Sequence, residues 1–443
     1  MKVLWVCNTM LPMAAEYLNR EVGNKEGWIA GLAEKILRSD GEESLELAYV
    51  CPMDCVESQK KWLIPGKNGM RPFTLYVFEE NIGHPECYTD ELSGRLGEIL
   101  ADFEPDIVHC FGTEYPHTLA LTKVCEKEKL LVGIQGVCEK CEVAYYADIP
   151  EYVIRRTTFR DLVKRDSIPQ QKEKFAARSR WEVAALKECL HVTGRTEMDR
   201  EFVYRHNPEI KYHFMNETLR RNFYEGVWDS AHCERHSILI SQGDYPLKGL
   251  HYMLKAMPVI LEKYPDAKVY VAGNPIVRPK TFKGMLKVSS YGKYIMELIS
   301  RLKLEGKVIF TGKLNAREMK ERMLGSHVFV CASSVENSPN SLGEAMLLGV
   351  PCVTSWVGGI PSMFVSGTDG ISYPGYGAAE YRDAQDKEQT QAEQLGKAIL
   401  QMFDQEEKML EYGKCASAHA GRTHDGQKNY ERLLEIYREI AGK

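Results

Sequence analysis

The chain has 443 residues, of which 44% are hydrophobic, 27% charged and 10% aromatic, with a formal net charge of -5. These are ordinary globular proportions, so extensive disorder and fibrous repeats are excluded, and the mild acidity excludes a protein that works by coating nucleic acid. A chain of this size buries a sufficient core without disulfide or metal staples, and its thirteen scattered cysteines read as free thiols of a reducing cytosol.

The N-terminal run Met1 to Cys7 carries one charge and is followed by Asn8 and Thr9, which predicts a first β-strand over Lys2 to Asn8 instead of a secretory segment. No stretch reaches the ~18 consecutive apolar residues of a membrane span. The expectation is a cytoplasmic protein, with any membrane contact confined to the inner face of the cytoplasmic membrane. After a loop containing Gly23 and Gly27, an apolar face of Trp28, Ile29, Leu32, Ala33, Ile36 and Leu37 predicts a helix. Strands follow at Leu45 to Val50, Phe73 to Phe78, Asp106 to Phe111 and Leu130 to Ile134. This β-then-α rhythm marks a parallel sheet covered by helices on both faces.

The rhythm weakens between Glu142 and Tyr224. Within that stretch, Glu151 to Arg180 holds nine Lys/Arg against four acidic residues, a local charge of +5. Such a segment suits a peripheral contact with an anionic membrane or a phosphate-bearing acceptor. The rhythm restarts at Ser237 to Ser241 and continues through Lys268 to Ala272, Val308 to Thr311, Val328 to Ala332 and Pro351 to Ser355. The fold class expected is therefore α/β, with two Rossmann-like, doubly wound parallel-sheet domains facing a central cleft. The N-terminal domain is placed at 1–225, the C-terminal domain at 226–425, and a final helix at 426–443 packs back toward the first.

Ligands at open parallel sheets bind beyond the carboxyl ends of the strands. The loop after Val328 to Ala332 contains Glu336 and leads through Pro339, a good first helical residue, into a helix bearing Glu344. The backbone N–H groups of Asn340, Ser341 and Leu342 then form a cradle for an anion. Carboxylates on either side accept hydrogen bonds from hydroxyls, which describes a site for a sugar joined to a nucleoside diphosphate. Lys248-Gly249 opens the helix after Ser237 to Ser241, where an ammonium offsets charge on a departing diphosphate. Cys138-Glu139-Lys140-Cys141 has zinc-like spacing but no second ligand pair, and no Asp-x-Asp stands at a strand end, so neither a metal nor another cofactor is expected.

Glu336 and Glu344, with seven residues between them and followed by Ala345-Met346 and Gly349-Val350-Pro351, resemble the E-x7-E signature of retaining glycosyltransferases of family 4, the glycosyl transferases group 1, which have the GT-B fold. The resemblance extends through Asp106 to His109, Gly243 to Gly249, Val271 to Asn274 and Phe310 to Gly312. It implies catalytic roles for Glu336 and Lys248. It implies donor binding by Gly27, Gly243, Lys248, Asn274, Asn340, Ser341, Leu342 and Glu344, with Glu344 on the ribose, and sugar or acceptor contact by His109 and Gln135.

The sequence also departs from the pattern. Gly243 stands where the family has an arginine; Arg278 and Lys280 are candidates for the missing cation. Gln135 stands near an expected histidine. The implied activity is metal-independent transfer of a hexose from a UDP- or GDP-linked donor to a saccharide or polyprenyl-diphosphate-linked acceptor, in capsule, exopolysaccharide or O-antigen synthesis. The alternatives are a nucleotide-sugar epimerase of the same fold and a non-catalytic sugar-nucleotide-binding protein.

Overall fold

Short runs of β-branched and aromatic residues, bounded by turn residues, form fourteen strands among the described residues of the computed structural model, which are 1–20, 27–39, 45–53, 60–277 and 281–442. In chain order they are β1 (Lys2–Cys7), β2 (Glu46–Met53), β3 (Lys60–Ile64), β4 (Phe73–Glu79), β5 (Ile107–Phe111), β6 (Leu130–Gly133), β7 (His191–Gly194), β8 (Lys211–Phe214), β9 (Glu234–Ile240), β10 (Lys268–Ala272), β11 (Val308–Gly312), β12 (Ser326–Cys331), β13 (Cys352–Trp356) and β14 (Gly370–Pro374). The first eight form one sheet, ordered β3-β4-β2-β1-β5-β6-β7-β8, and the last six another, ordered β11-β10-β9-β12-β13-β14. Every pairing is parallel except β3 with β4. Parallel strands need crossover connections, and helices supply them.

The chain divides into two compact units. Unit 1 comprises 1–139, 175–220 and 423–443; unit 2 comprises 140–174 and 221–422. This corrects the placement of 140–174, expected in the first half. Arg156 forms a bidentate ion pair with Glu297 at 2.9 Å, Thr158 donates to the Val288 carbonyl, and His251 bonds the Ala147 carbonyl, so the segment is held by unit 2. Nor is 151–180 a uniform basic face. Arg160 is paired with Asp161 and Asp166, Lys172 with Glu142, and Lys174 with Asp166.

In unit 1 the helix Gly27–Arg38 buries Ile29, Leu32, Ala33, Ile36 and Leu37 against β1 and β2. The last helix, Gly426–Ala441, belongs to the same core. It buries Tyr430, Leu433, Leu434 and Tyr437, and the Tyr437 hydroxyl accepts from Trp5 Nε1 at 2.8 Å. Each such side chain contributes about 1.5–3 kcal/mol by leaving water. Strands β7 and β8 lie in the stretch where no strand was expected. They are four residues long and include His191, Thr193, Lys211 and His213, so they present no apolar run. The twelve described cysteines are free thiols, while Cys55 lies outside the described residues.

Candidate functional site

In unit 2 the sheet order reverses between β9 and β12, and the loops leaving these two strands carry the chemistry. The loop after β9 ends at Gly249, which has φ of +70° and caps the helix Leu250–Lys263. A Cβ there would stand 1.9 Å from the Ala332 carbonyl oxygen, so only glycine allows the two loops to approach this closely. The Ser334 N–H donating to the Leu247 carbonyl at 2.8 Å, and Ser241 Oγ to Ser341 Oγ at 3.0 Å, complete the seam.

That approach brings Lys248 Nζ within 2.5 Å of Glu336 Oε1, which also accepts from Ser333 Oγ at 2.7 Å. The lysine side chain is 20% exposed and the glutamate 13%. Burial works to lower the Lys248 pKa, but the Glu336 charge, the Tyr245 hydroxyl and the hydrogen bond outweigh it and leave it raised. The ammonium therefore stays charged at any working pH. Burial pushes the neighbouring Tyr245 hydroxyl up to about 12, so it remains a neutral donor.

Pro339 is the N-cap of the helix Asn340–Leu347, so the helix begins one residue later than expected, with Asn340 as its first residue. This alters the anion cradle. The Leu342 N–H already donates to the Pro339 carbonyl at 3.0 Å, so Leu342 is removed from the set of free donors. The N–H groups of Asn340 and Ser341 have no acceptor among the described residues, and the buried Asn340 Oδ1 has no donor among them. Glu344 lies in the second helical turn, 2% exposed.

Gly243 is buried, and a Cβ there would meet Leu250 Cδ2 and Val271 Cγ1, each at 2.9 Å. Packing has closed the position to an arginine. Asp244 follows; one carboxylate oxygen accepts from Asn274 Nδ2 at 2.6 Å and the other is buried without a partner among the described residues. Asp244, Tyr245 and Asn274 line a cavity of about 290 Å³ together with Arg160, Lys287 and Tyr291, all within unit 2. Lys287, exposed at its rim, is a cation the sequence did not single out. Arg278 and Lys280 lie outside the described residues.

Unit 1 presents a different constellation at the carboxyl ends of β5, β6 and β7. Glu114 Oε1 accepts from the Gly136 N–H at 2.8 Å, and its other oxygen is buried and unpartnered. Burial raises the Glu114 carboxyl against the pull of Arg178. Glu182, fully buried, accepts from Thr113 Oγ1 at 2.5 Å and from the Cys138 N–H at 2.9 Å, and burial pushes it up to about 8. Arg195 pairs with Glu217 at 3.1 Å and reaches Gln135 Oε1 at 3.4 Å. None of Glu114, Glu182, Arg195 and Glu217 was singled out from the sequence. Glu114 and Arg195, each just beyond a strand end, were the detectable ones.

His109 does not join this group. It is fully buried, with Nδ1 2.8 Å from the Tyr437 hydroxyl, and burial lowers it to about 3. This corrects its assignment as a sugar or acceptor contact; it is a neutral core residue. Gly27 begins its helix, and Gly31 lets residues 218–219 pass close by, a Cβ there standing 3.0 Å from the Leu219 carbonyl oxygen. Gly23 lies outside the described residues. Among the described residues no group of three or more His, Cys, Asp or Glu side chains is arranged to hold a metal, Cys138 and Cys141 included.

Two Rossmann-like α/β domains with parallel sheets define the GT-B fold. Sucrose-phosphate synthase from Thermosynechococcus elongatus has it, with a TM-score of 0.68, 14% identity and 99% of each chain covered. So does HepE from Anabaena in complex with UDP-glucose, with a TM-score of 0.61, 14% identity, 98% of this chain covered and 99% of that one. Residues 230–417, all in unit 2, match the family described as Glycosyl transferases group 1. An uncharacterized glycosyltransferase from Methanocaldococcus jannaschii is 32% identical over 124 residues, 28% of each chain. Matches to curated relatives span 28% to 45% of those relatives' own lengths.

Proposed function

We propose that the protein is a retaining glycosyltransferase that moves a hexose from a nucleoside-diphosphate donor to a saccharide or lipid-linked acceptor. The observation that carries this reading is the Lys248–Glu336 ion pair at 2.5 Å beside the open N–H groups of Asn340 and Ser341, at the switch point of a parallel sheet. A diphosphate bound at the helix start draws the Lys248 ammonium off Glu336. Glu336 is then free to accept from sugar hydroxyls and to face the positive charge that develops at the anomeric carbon.

In the transfer, the bond from the anomeric carbon to the β-phosphate oxygen breaks and the acceptor oxygen bonds the same face of that carbon. The acceptor's proton passes to the departing phosphate oxygen, releasing the nucleoside diphosphate. Lys248 and the two amides carry the charge stabilisation that a metal supplies elsewhere, worth about 3–4 kcal/mol for one well-placed donor. Glu344 takes the ribose hydroxyls. Lys287 is the cation placed to compensate for the arginine that Gly243 excludes. HepE is complexed with UDP-glucose, which favours uridine over guanosine.

The buried carboxylates Glu114 and Glu182, with Gln135 and Arg195, suit the sugar hydroxyls of a polyprenyl-diphosphate-linked acceptor, and polysaccharide synthesis at the cytoplasmic membrane face is the matching role. The test is incubation with UDP- and GDP-hexoses and a lipid-linked saccharide, with the product's anomeric configuration read by NMR. Retention supports the reading; inversion, or donor consumption without any transfer product, contradicts it.

A further inference from the structure

Water-soluble helices turn their apolar side inward. The helix Phe159–Lys164 in unit 2 does the reverse. Phe159, Leu162 and Val163 stand at i, i+3 and i+4 on one face and are 59%, 69% and 64% exposed. Its acidic residue, Asp161, is turned inward and is 1% exposed. Asp161 Oδ2 accepts from the Ser290 N–H at 2.8 Å and, with Thr158, closes a reciprocal cap at the helix start. Thr158 Oγ1 donates to the Val288 carbonyl at 2.7 Å. Polar bonds thus fasten the inner face to unit 2, and three large apolar side chains are held outward, an arrangement that solvent alone does not favour.

Two unopposed cations follow the triad: Lys164 and Arg165 are both exposed and have no ion pair among the described residues, whereas Arg155 on the preceding helix Glu151–Arg155 is paired with Glu151. Exposed Tyr152 lies on that same helix. From Thr157 to Arg165 the only carboxylate is Asp161, which faces inward. An apolar wedge rimmed by cations matches the boundary between acyl chains and anionic headgroups, where the apolar groups enter and the cations remain at the phosphates.

We infer that this helix is a membrane-insertion element, with Phe159, Leu162 and Val163 entering an anionic bilayer and Lys164 and Arg165 binding its headgroups. The inference deepens the lipid-linked acceptor reading, because it gives the protein a means of meeting an acceptor confined to a membrane. Among the described residues no helix is long and apolar enough to cross one, so attachment by this route is peripheral and reversible.

The test is co-sedimentation of the full chain with vesicles of phosphatidylcholine, with and without phosphatidylglycerol. Wild type should bind the phosphatidylglycerol vesicles and bind phosphatidylcholine weakly. Combined Phe159→Ser, Leu162→Ser and Val163→Ser should weaken partitioning by about 100-fold or more, and combined Lys164→Ala and Arg165→Ala by roughly 30-fold. A Val163→Trp variant should shift its fluorescence to the blue on vesicle addition. Thermal stabilisation by nucleoside diphosphates should be the same in all of these variants, which also reports that they are folded.

Vesicle binding unaffected by the triple substitution, or absent in wild type, would overturn the inference. So would sedimentation showing that the triad joins two copies of the chain. Patch-dependent vesicle binding in a protein that ignores every nucleoside diphosphate would leave this inference standing and remove the donor-site reading instead.

Discussion

The two units carry their polar chemistry at the same place, the carboxyl ends of a parallel sheet, and equip it in opposite ways. Unit 2 has a charged ammonium, one paired carboxylate and two amides with no acceptor among the described residues, a set of groups suited to an anion. Unit 1 has three carboxylates and an arginine sunk among each other, with Glu182 raised to about 8 and Arg195 neutralised by Glu217. A leaving diphosphate needs the first environment. The second is suited to neutral hydroxyls, since a carboxyl held in low dielectric binds hydroxyl donors without attracting a free anion. Under the proposed function, the departing group belongs to unit 2 and the acceptor to unit 1.

Substitutions break this contrast in order of expected effect. Lys248→Ala should lower kcat by about 100- to 1,000-fold, the cost of losing one preorganised charge at a leaving group; Lys248→Arg should recover part of it. A loss below tenfold would move the leaving-group role elsewhere. Glu344→Ala should weaken nucleoside-diphosphate binding by roughly 10-fold or more, as expected when hydrogen bonds to a charged acceptor are removed, with little change in acceptor KM.

Gly243→Arg tests whether the missing arginine can simply be restored. With Leu250 and Val271 already occupying its path, the variant should lose about 1–3 kcal/mol of stability and gain no donor affinity. Tighter donor binding without a fall in Tm would show that the position is open. In unit 1, Glu182→Gln tests the buried acid through pH. Its folded pKa of about 8 stands above the usual 4.5, so the folded state holds the proton more tightly. That stabilisation is complete below about pH 4.5 and is lost as pH rises toward 8 and beyond. The variant should therefore match wild type at pH 5 and exceed its Tm by about 2–4 °C for each kcal/mol recovered at pH 9. Parallel Tm profiles would show that Glu182 ionises normally.

The contrast also explains what the sequence made legible. Unit 2's site is local: Glu336, Asn340, Ser341 and Glu344 fall within nine residues, and Lys248-Gly249 marks its own loop. Spacing and the family resemblance together singled them out as candidates. Two details were not local. Whether Leu342's amide is free depends on where the helix begins, and a shift of the cap to Pro339 uses it. The closure of position 243 depends on Leu250 and Val271, one on the next helix and the other on the neighbouring strand.

Unit 1's cluster is assembled from residues 113, 114, 182, 195 and 217, joined only by tertiary structure. No spacing rule reaches that far. His109 misled for the same reason: a strand-end histidine looks functional until the last helix, more than three hundred residues later, supplies Tyr437 to enclose it. Residues 140–174 were misassigned because chain order placed them in the first half, whereas Arg156, Thr158 and the Ala147 carbonyl bind partners in the second.

The central claim is that Lys248 and the start of the helix Asn340–Leu347 hold a nucleoside diphosphate. Calorimetric titration of UDP and GDP into the wild-type chain and into Lys248→Ala tests it most directly. Saturable one-to-one binding of one of the two nucleotides is expected, weakened by roughly 10-fold or more in the variant. Equal affinity in both proteins, or no binding of either nucleotide to wild type, would contradict it.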